Sequence, residues 1–298
     1  MRVWVSGAGG FVGTWLLPRL IRDGHDVVAA DREVDVCDAA AVAAALDRAQ
    51  PDAIVHLAAL ASVATSYADP KTVARVNYFG TLHVLRAALH HVPRARVLLV
   101  SSSEIYGGSA TSDPIDEGAR LAPVSPYART KAAADLLGAA FAESGLDVVR
   151  ARPWNHTGPG QADGYVASSF ARQLAEMVLE KRDPVLRVGN LDAVRDFLDV
   201  ADVVDAYARL LDPGVPRGAY NIATGVPIRI AQLLDRLIEH AGLRPQIEVD
   251  PARHRPDRAS VGDATRLRHA TDWAPRIPLE DTLARLFDAW LRRLSASR

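Results

Sequence analysis

Chemistry can be argued first from Tyr127 and Lys131, in the run Ser125-Pro126-Tyr127-Ala128-Arg129-Thr130-Lys131. Ser125 suits an N-cap and Pro126 the first helical position, so the spacing predicts a helix beginning here. Tyr127 and Lys131 then lie four apart on one face. An ammonium beside a phenol favours the phenolate and lowers the tyrosine pKa, which equips the pair to move a proton near neutral pH. The plain alternative is a half-buried tyrosine whose stem packs beside a solvated lysine. A second group, Ser101-Ser102-Ser103-Glu104-Ile105-Tyr106-Gly107, follows directly on the apolar run Val97 to Val100. Hydroxyls and a carboxylate at the carboxyl end of a central strand are where an α/β fold places its chemistry.

The elements that must position these groups come in a regular order. Arg2 to Ser6 reads as a buried strand and runs into Gly7-Ala8-Gly9-Gly10-Phe11-Val12-Gly13, then an apolar helix through Ile21. Strand, glycine turn and helix in that order let the backbone approach a pyrophosphate at a helix N-terminus. Glycine clusters also make plain strand-to-helix turns. A second strand, Asp26 to Ala30, ends in Asp31, whose carboxylate could accept from both adenosine ribose hydroxyls and so favour NAD. Arg32 could instead meet a 2′-phosphate, and Asp31 is also a plausible turn residue. Asp38 is expected to cap an alanine-rich helix to about Ala49, whether or not it also touches adenine.

A third strand, Ala53 to His56, is followed by Leu57-Ala58-Ala59, where small residues leave room for a cofactor. His56 reads as a packed, hydrogen-bonded histidine. A long helix is expected from Pro70 to His91, and it contains Asn77. His90 and His91 face different ways on it, so no metal site is read there. A fifth strand spans Asp147 to Ala151. Arg152 to Gly160 is too rich in Gly, Pro and Asn for a regular element. Further helices are expected near 166–179, 200–211, 229–241 and 279–294, with a strand at Val185 to Val188. The alternation up to Arg152 argues an α/β fold with a doubly wound parallel sheet, and the later chain reads as a smaller C-terminal substrate lobe. The boundaries are 1–152 with parts of 185–225 for the first unit, and 153–184 with 226–298 for the second.

Composition excludes several classes. The 298 residues are 49% hydrophobic and 24% charged, as in an ordinary globular protein with a large core. With 35 basic and 36 acidic residues the net charge is -1, which argues against nucleic acid or an anionic membrane as the main partner. No apolar run reaches the roughly 18 residues of a membrane helix. A core strand begins within a few residues of Met1, so no signal peptide is expected. The single cysteine, Cys37, cannot form an internal disulfide and has no obvious base beside it, which fits a packed residue in a reducing cytoplasm.

Taken together, the chain resembles the extended short-chain dehydrogenase/reductase family that acts on nucleotide sugars. Gly7-x-x-Gly10-x-x-Gly13, His56-Leu57-Ala58-Ala59, Ser101 to Gly107 and Tyr127-x-x-x-Lys131 fall in family order over essentially the whole length. The resemblance implies a Rossmann sheet, and NAD(H) or NADP(H) held by the glycine turn with Phe11 and Val12, by Asp31, Arg32 and Asp38, and by Leu57, Ala58 and Ala59. It implies Tyr127 as proton donor or acceptor, Lys131 as its partner and a nicotinamide-ribose ligand, and Ser102 as hydrogen-bond donor to the sugar oxygen. Three later stretches look like the reductases of GDP-4-keto-6-deoxy-D-mannose: Arg152 to Gln161, Val188 to Phe197, and Trp273-x-Pro275-Arg276-Ile277-Pro278-Leu279-Glu280. By analogy Asn155 and Arg195 would hold the sugar nucleotide, together with Ser103 and Asn190, and His156 the nicotinamide end. Arg195 suits a diphosphate, where a planar fork meets two oxygens, or else an ion pair with Asp196 or Asp199.

The resemblance also leaves alternatives. Family members carry Arg-Pro followed closely by an acid in a late loop that clasps the nucleotide. Here the run is Arg253-His254-Arg255-Pro256-Asp257-Arg258, where Arg253 with Asp257 fits the spacing and Arg255 could take the same role. Glu104 stands where the related 4,6-dehydratases keep a catalytic carboxylate, and the reductases carry Glu there too. A GDP-mannose 4,6-dehydratase or a 4-epimerase is the enzymatic alternative, and a non-catalytic dinucleotide-sensing protein the other. The family further implies a homodimer formed by the Pro70–His91 and Tyr127 helices.

Overall fold

The computed structural model describes residues 1–109, 113–250 and 259–296. The first half alternates as its sequence pattern requires: β1 (Arg2–Ser6), α1 (Phe11–Arg22), β2 (Asp26–Ala30), α2 (Ala39–Ala49), β3 (Ala53–His56), α3 (Val63–Ala68), α4 (Pro70–Ala74), α5 (Gly80–His91), β4 (Arg96–Val100), α6 (Pro126–Glu143) and β5 (Asp147–Pro153). The rest comprises β6 (Asn155–Thr157), α7 (Val166–Val178), β7 (Val185–Val188), β8 (Val194–Arg195), β9 (Phe197–Asp199), α8 (Val200–Leu210) and β10 (Gly218–Ile222). It closes with β11 (Ile228–Arg229), α9 (Ile230–Ala241), β12 (Gln246–Val249), α10 (Thr265–Thr271) and α11 (Leu279–Ala296). Among the described residues no helix is long and apolar enough to cross a membrane.

Six strands form one parallel sheet in the order β10-β5-β4-β3-β1-β2. The chain winds outward from β1 to β2, then returns to the other side of β1 with β3. That reversal opens a crevice at the carboxyl ends of β1 and β3, where such sheets take their ligands. Successive side chains of a strand serve opposite faces. Val3, Val5, Val55 and Leu98 pack with α1 and α8, whereas Trp4, Ile54, Val97 and Leu99 pack with α2 and α5. Both faces are therefore dry, as continuous apolar strands of a parallel sheet demand.

A separate apolar cluster gathers Phe170 and Leu174 of α7, Leu186 of β7, Leu233 and Leu237 of α9, and Leu286 and Trp290 of α11. Ala264, Leu267 and Trp273 instead pack in the sheet's own core. The stretch beginning Trp273-x-Pro275 is an anchor of this kind. Trp273 Nε1 donates to Asp202 O at 3.0 Å, and the N–H groups of Arg276 and Ile277 each donate to Asp202 Oδ2 at 3.0 Å.

Three expectations are corrected. The run from Arg152 is not all irregular. β5 continues to Pro153, the Trp154 N–H donates to Ile222 O at 2.9 Å, and β6 pairs in parallel with β9. Long-range pairing supplies there the partners that local composition argues against. The sheet also gains a sixth strand, β10, paired in parallel with β5 where the sequence predicts none. The Pro70–His91 helix is broken by one wide π turn at Arg75–Phe79. Such turns concentrate at functional places, and this one contains Asn77. Its Oδ1 accepts from Leu60 N at 2.8 Å, and its Nδ2 donates to Leu60 O and Thr130 Oγ1, each at 3.1 Å. The turn thereby ties the chain after β3 to α6.

Candidate active site

α6 begins as its residue types dictate. Ser125 Oγ accepts from the Ala128 N–H at 3.0 Å, and Pro126 fills the first position. Tyr127 and Lys131 follow on the face turned to the end of β4, 8% and 5% exposed. Ser102 stands beside the Tyr127 phenol and favours its ionised form. Residues Ser103–Tyr106 form a single tight turn after β4, capped by Ser102, whose Oγ accepts from Glu104 N at 3.2 Å. Glu104 is half-buried and its charge acts on Tyr127. Ser103 is buried. The solvated-lysine alternative is thus excluded: both members of the pair are inside.

The expected lowering of the Tyr127 pKa is corrected. Burial pushes this phenol up, with Ser102 opposing and Glu104 and Tyr165 adding to it. Lys131 gives its ammonium to Val100 O, and burial pushes it down to about 8. Both groups have lost water, and desolvation favours the neutral form of each. A phenol held protonated is a proton donor waiting for an acceptor.

The glycine turn lies one strand away from β3. Gly7 adopts φ +69°, and a Cβ there would stand 2.8 Å from Ala58 N. A Cβ on Gly13 would stand 2.3 Å from Ala8 O, so only glycine lets α1 pack this close to its strand. Gly10 begins α1 with no side-chain cap, leaving the N–H groups of Phe11 and Val12 for a ligand. A Cβ on Gly9 would meet Asp31 Oδ2 at 2.5 Å, so the carboxylate that ends β2 lies directly against the turn. Asp31 also closes a turn, its N–H donating to Glu33 Oε1 at 2.8 Å, and Arg32 is exposed beside it. Asp38 caps α2, accepting from Ala40 N at 2.9 Å and Ala41 N at 3.1 Å. Leu57, Ala58 and Ala59 line the opposite wall, with Ala58 N donating to Ser6 Oγ at 3.3 Å. His56 is packed as expected, between Ser6 Oγ at 2.7 Å and Thr81 Oγ1 at 3.1 Å. The closed backbone, the free helix N-terminus and the facing acid together fit a dinucleotide.

The later residues are placed less uniformly. His156 stacks on Phe11, ring centroids 6.3 Å apart, and its Nδ1 bonds Trp154 O at 2.9 Å. It therefore stands over the start of α1. Asn155 Nδ2 donates to Asp196 O at 3.3 Å. Asn190 Oδ1 accepts from Asp192 N at 2.9 Å in the turn before β8. Arg195 lies in β8, paired with β11 and bridged to Ser260, with Nη1 donating to Val194 O at 2.8 Å. Asp196 accepts from Thr224 Oγ1 at 2.6 Å, Thr224 N at 3.0 Å and Gly225 N at 2.9 Å, while Asp199 caps α8 and pairs with Arg285. Arg253 and Asp257, with Arg255, lie outside the described residues. Sequence reasoning names Asn77 and Asp196 without a role at the site and does not name Tyr165. A buried amide in an apolar helix and an acid beside an expected phosphate ligand were the available signals.

A glycine turn at the sheet's switch point, two strands from a buried Ser–Tyr–Lys set, defines a dinucleotide-dependent oxidoreductase of the short-chain type on a Rossmann sheet. A model of the GDP-mannose 4,6 dehydratase family matches residues 32–286, and the chain belongs to that family. It is 35% identical to the GDP-6-deoxy-D-mannose reductase of Pseudomonas aeruginosa, covering 98% of both chains. It is 31% identical to a UDP-glucose 4-epimerase of Mycolicibacterium smegmatis, covering 96% of this chain and 97% of that one. The solved structure of RMD from Pseudomonas aeruginosa complexed with NADPH shares the fold at a TM-score of 0.91 and 34% identity, over 98% of this chain and 99% of that one.

Proposed function

We propose that the protein reduces the C4 keto group of an NDP-4-keto-6-deoxy-hexose with NAD(P)H, converting GDP-4-keto-6-deoxy-D-mannose to GDP-D-rhamnose. The observation that carries the chemistry is the burial of Tyr127 beside Ser102 and Lys131, which pushes the phenol toward its protonated form. The full-length likeness to a GDP-6-deoxy-D-mannose reductase supports the substrate. The glycine turn, Asp31 and Ala58 would hold the dinucleotide, which supplies a hydride when reduced. Tyr127 gives its proton to the C4 oxygen. Ser102 donates a hydrogen bond to the same oxygen, and the charge of Lys131 stabilises the phenolate left behind. Asn155, Asn190 and Arg195 hold the sugar nucleotide, with Arg253 and Asp257 completing the clasp. Residues 1–152 with parts of 185–225 serve the dinucleotide. Residues 153–184 and 226–298 serve the sugar nucleotide, and the separate apolar cluster of α7, α9 and α11 supports that division.

The dehydratase reading keeps one observation in its favour: Glu104 stands within electrostatic reach of Tyr127. The two reactions differ in cofactor accounting. A dehydratase takes hydride from C4 and returns it to C6, so no reduced cofactor is consumed. A reductase consumes one per sugar. Incubation with GDP-mannose alone is expected to yield nothing. With the 4-keto-6-deoxy sugar and either NADH or NADPH, absorbance of the reduced nicotinamide should fall in step with sugar, and NMR of the product should show a new C4 hydroxyl. Asp31 against the turn favours NADH in that comparison, with Arg32 leaving NADPH usable. A 4-keto product made from GDP-mannose without reduced cofactor would overturn the reductase reading.

The same reading places the enzyme in the cytoplasm as a twofold homodimer. Tyr67, Phe79 and Leu136 are 64%, 48% and 58% exposed on α3, the π turn and α6. Large apolar side chains on adjoining helices mark a contact face, and an isologous pair is the commonest oligomer. Light scattering at micromolar concentration should give twice the 32.1 kDa of one chain; a monomer mass would exclude the pairing.

A further inference from the structure

Lys131 is buried, and a buried ammonium keeps its charge only where something offsets the lost hydration. One turn further along the same face of α6 comes Asp135, fully buried. Its Oδ1 accepts from Arg150 Nη1 at 2.9 Å and Arg152 Nη2 at 2.7 Å, and its Oδ2 from Arg152 Nε at 3.0 Å. Both arginines stand on β5. Arg152 Nη1 goes on to donate to Tyr106 Oη at 2.7 Å, and Tyr106 Oη donates to Asn221 Oδ1 at 2.8 Å. Asn221 Nδ2 then donates to Ile115 O at 2.9 Å and Asp263 O at 3.1 Å. One carboxylate thus joins the lysine's helix to the sheet, to the chain that follows Ser102, and to the segment after residue 259.

A counter-ion for two arginines could stand at any inward position of α6. Four residues from Lys131 it serves the lysine as well. We infer that Asp135 is a positioning residue for the proposed reduction, keeping the Lys131 ammonium charged in a pocket that strips its water and fixing α6 against β5. The inference rests on the reductase reading for its purpose, not for its test. The charged and titratable groups facing Lys131 are few. From β3 comes His56, pushed down to about 3 by burial and so neutral. From β4 comes the Val100 carbonyl. From β5 come Arg150 and Arg152, reached through Asp135. From α6 itself come Tyr127, with Glu104 beyond it, and Asp135. Burial opposes the charge of Asp135, yet Arg152 and Arg150 outweigh it and hold the carboxyl below its usual range. Asp135 in turn raises Lys131 against the burial that lowers it.

The chain contains three lysines, Lys71, Lys131 and Lys181, so the side-chain signals of 13C-labelled lysine can be titrated one by one without cofactor or substrate. The Lys131 signal is the one missing from Lys131→Met. Its midpoint should fall by roughly one pH unit or more in Asp135→Asn, the size of a close opposite charge. It should rise in Arg150→Met, which removes one competitor for the carboxylate and leaves the Arg152 pair in place. Lys71 and Lys181 should not move in either. Asp135→Asn leaves two buried guanidinium groups without their anion; if it does not fold, Arg150→Met decides alone. A role confined to stability predicts no opposed shifts. In the assay, activity lost as pH rises should be lost earlier in Asp135→Asn and later in Arg150→Met. A Lys131 midpoint that stays in place, or moves the same way in both variants, overturns the inference. Opposed shifts in a protein that reduces no keto sugar would uphold it and sink the reductase reading.

Discussion

Tyr127→Phe is expected to cut the reduction rate by about 10²–10⁴-fold, the range of a positioned general acid. The substitution removes one hydroxyl from a ring that stays buried by its packing. Affinity for the reduced cofactor should therefore remain within a few-fold. The size of the loss follows from what the hydroxyl does in place. Burial keeps it protonated across the neutral range, so every molecule carries the proton that the C4 oxygen needs. On the proposed mechanism Ser102 remains in the variant and would still polarise the carbonyl, which sets a floor under the loss. Steady-state rates with saturating keto sugar, paired with a fluorescence titration of NADPH, separate the two effects. A variant within a few-fold of wild type would remove Tyr127 from the chemistry. A variant that also lost cofactor affinity by orders of magnitude would make the hydroxyl a structural group.

That sign of the phenol's shift was not legible in the sequence. The spacing of Tyr127 and Lys131 fixes that they share a face, and Ser125 and Pro126 fix where their helix starts, because capping is a local matter. Whether the ammonium reaches the phenol depends on what surrounds both, and Val100 O takes the ammonium here. The same division runs through the chain. β1, β2 and β3 occupy the spans expected of them, Arg2–Ser6, Asp26–Ala30 and Ala53–His56, and Asp38 caps α2 from its own residue type. β6 and β10 were invisible because their partners, β9 and β5, are far along the chain. The π turn around Asn77 has no composition of its own. Asp135 was legible in part, as an acid one turn past Lys131 in a run of alanines, but its meaning needed Arg150 and Arg152 from another strand. Arg195 could have paired with Asp196 or Asp199 by proximity alone; the fold instead gives Asp196 to Thr224 and Gly225, and Asp199 to Arg285.

Gly7→Val is expected to weaken the reduced cofactor by about two orders of magnitude, equivalent to losing about 3 kcal/mol of charge-assisted backbone hydrogen bonds. Two strains act together at this position. φ is +69°, which a β-branched residue avoids. The added Cβ would also stand 2.8 Å from Ala58 N and 2.9 Å from Ala58 Cα. Those neighbours are backbone at the end of β3, so no rotamer change relieves the overlap. The turn must lift away from β3, and it carries Gly10, whose N–H donates to Gly7 O at 3.1 Å, and the start of α1 with it. The donors proposed for a pyrophosphate would then be misdirected. Gly24 separates this effect from plain backbone strain. It has φ +81° with nothing within 4 Å of an added Cβ. Gly24→Ala should cost about 1–2 kcal/mol of stability, the left-handed penalty of a non-glycine residue, and leave cofactor affinity unchanged. Thermal unfolding and NADPH titration of both variants give the comparison. If Gly7→Val folds and binds NADPH like Gly24→Ala, the glycine turn is a structural corner, and the dinucleotide must be sought elsewhere on the sheet's edge.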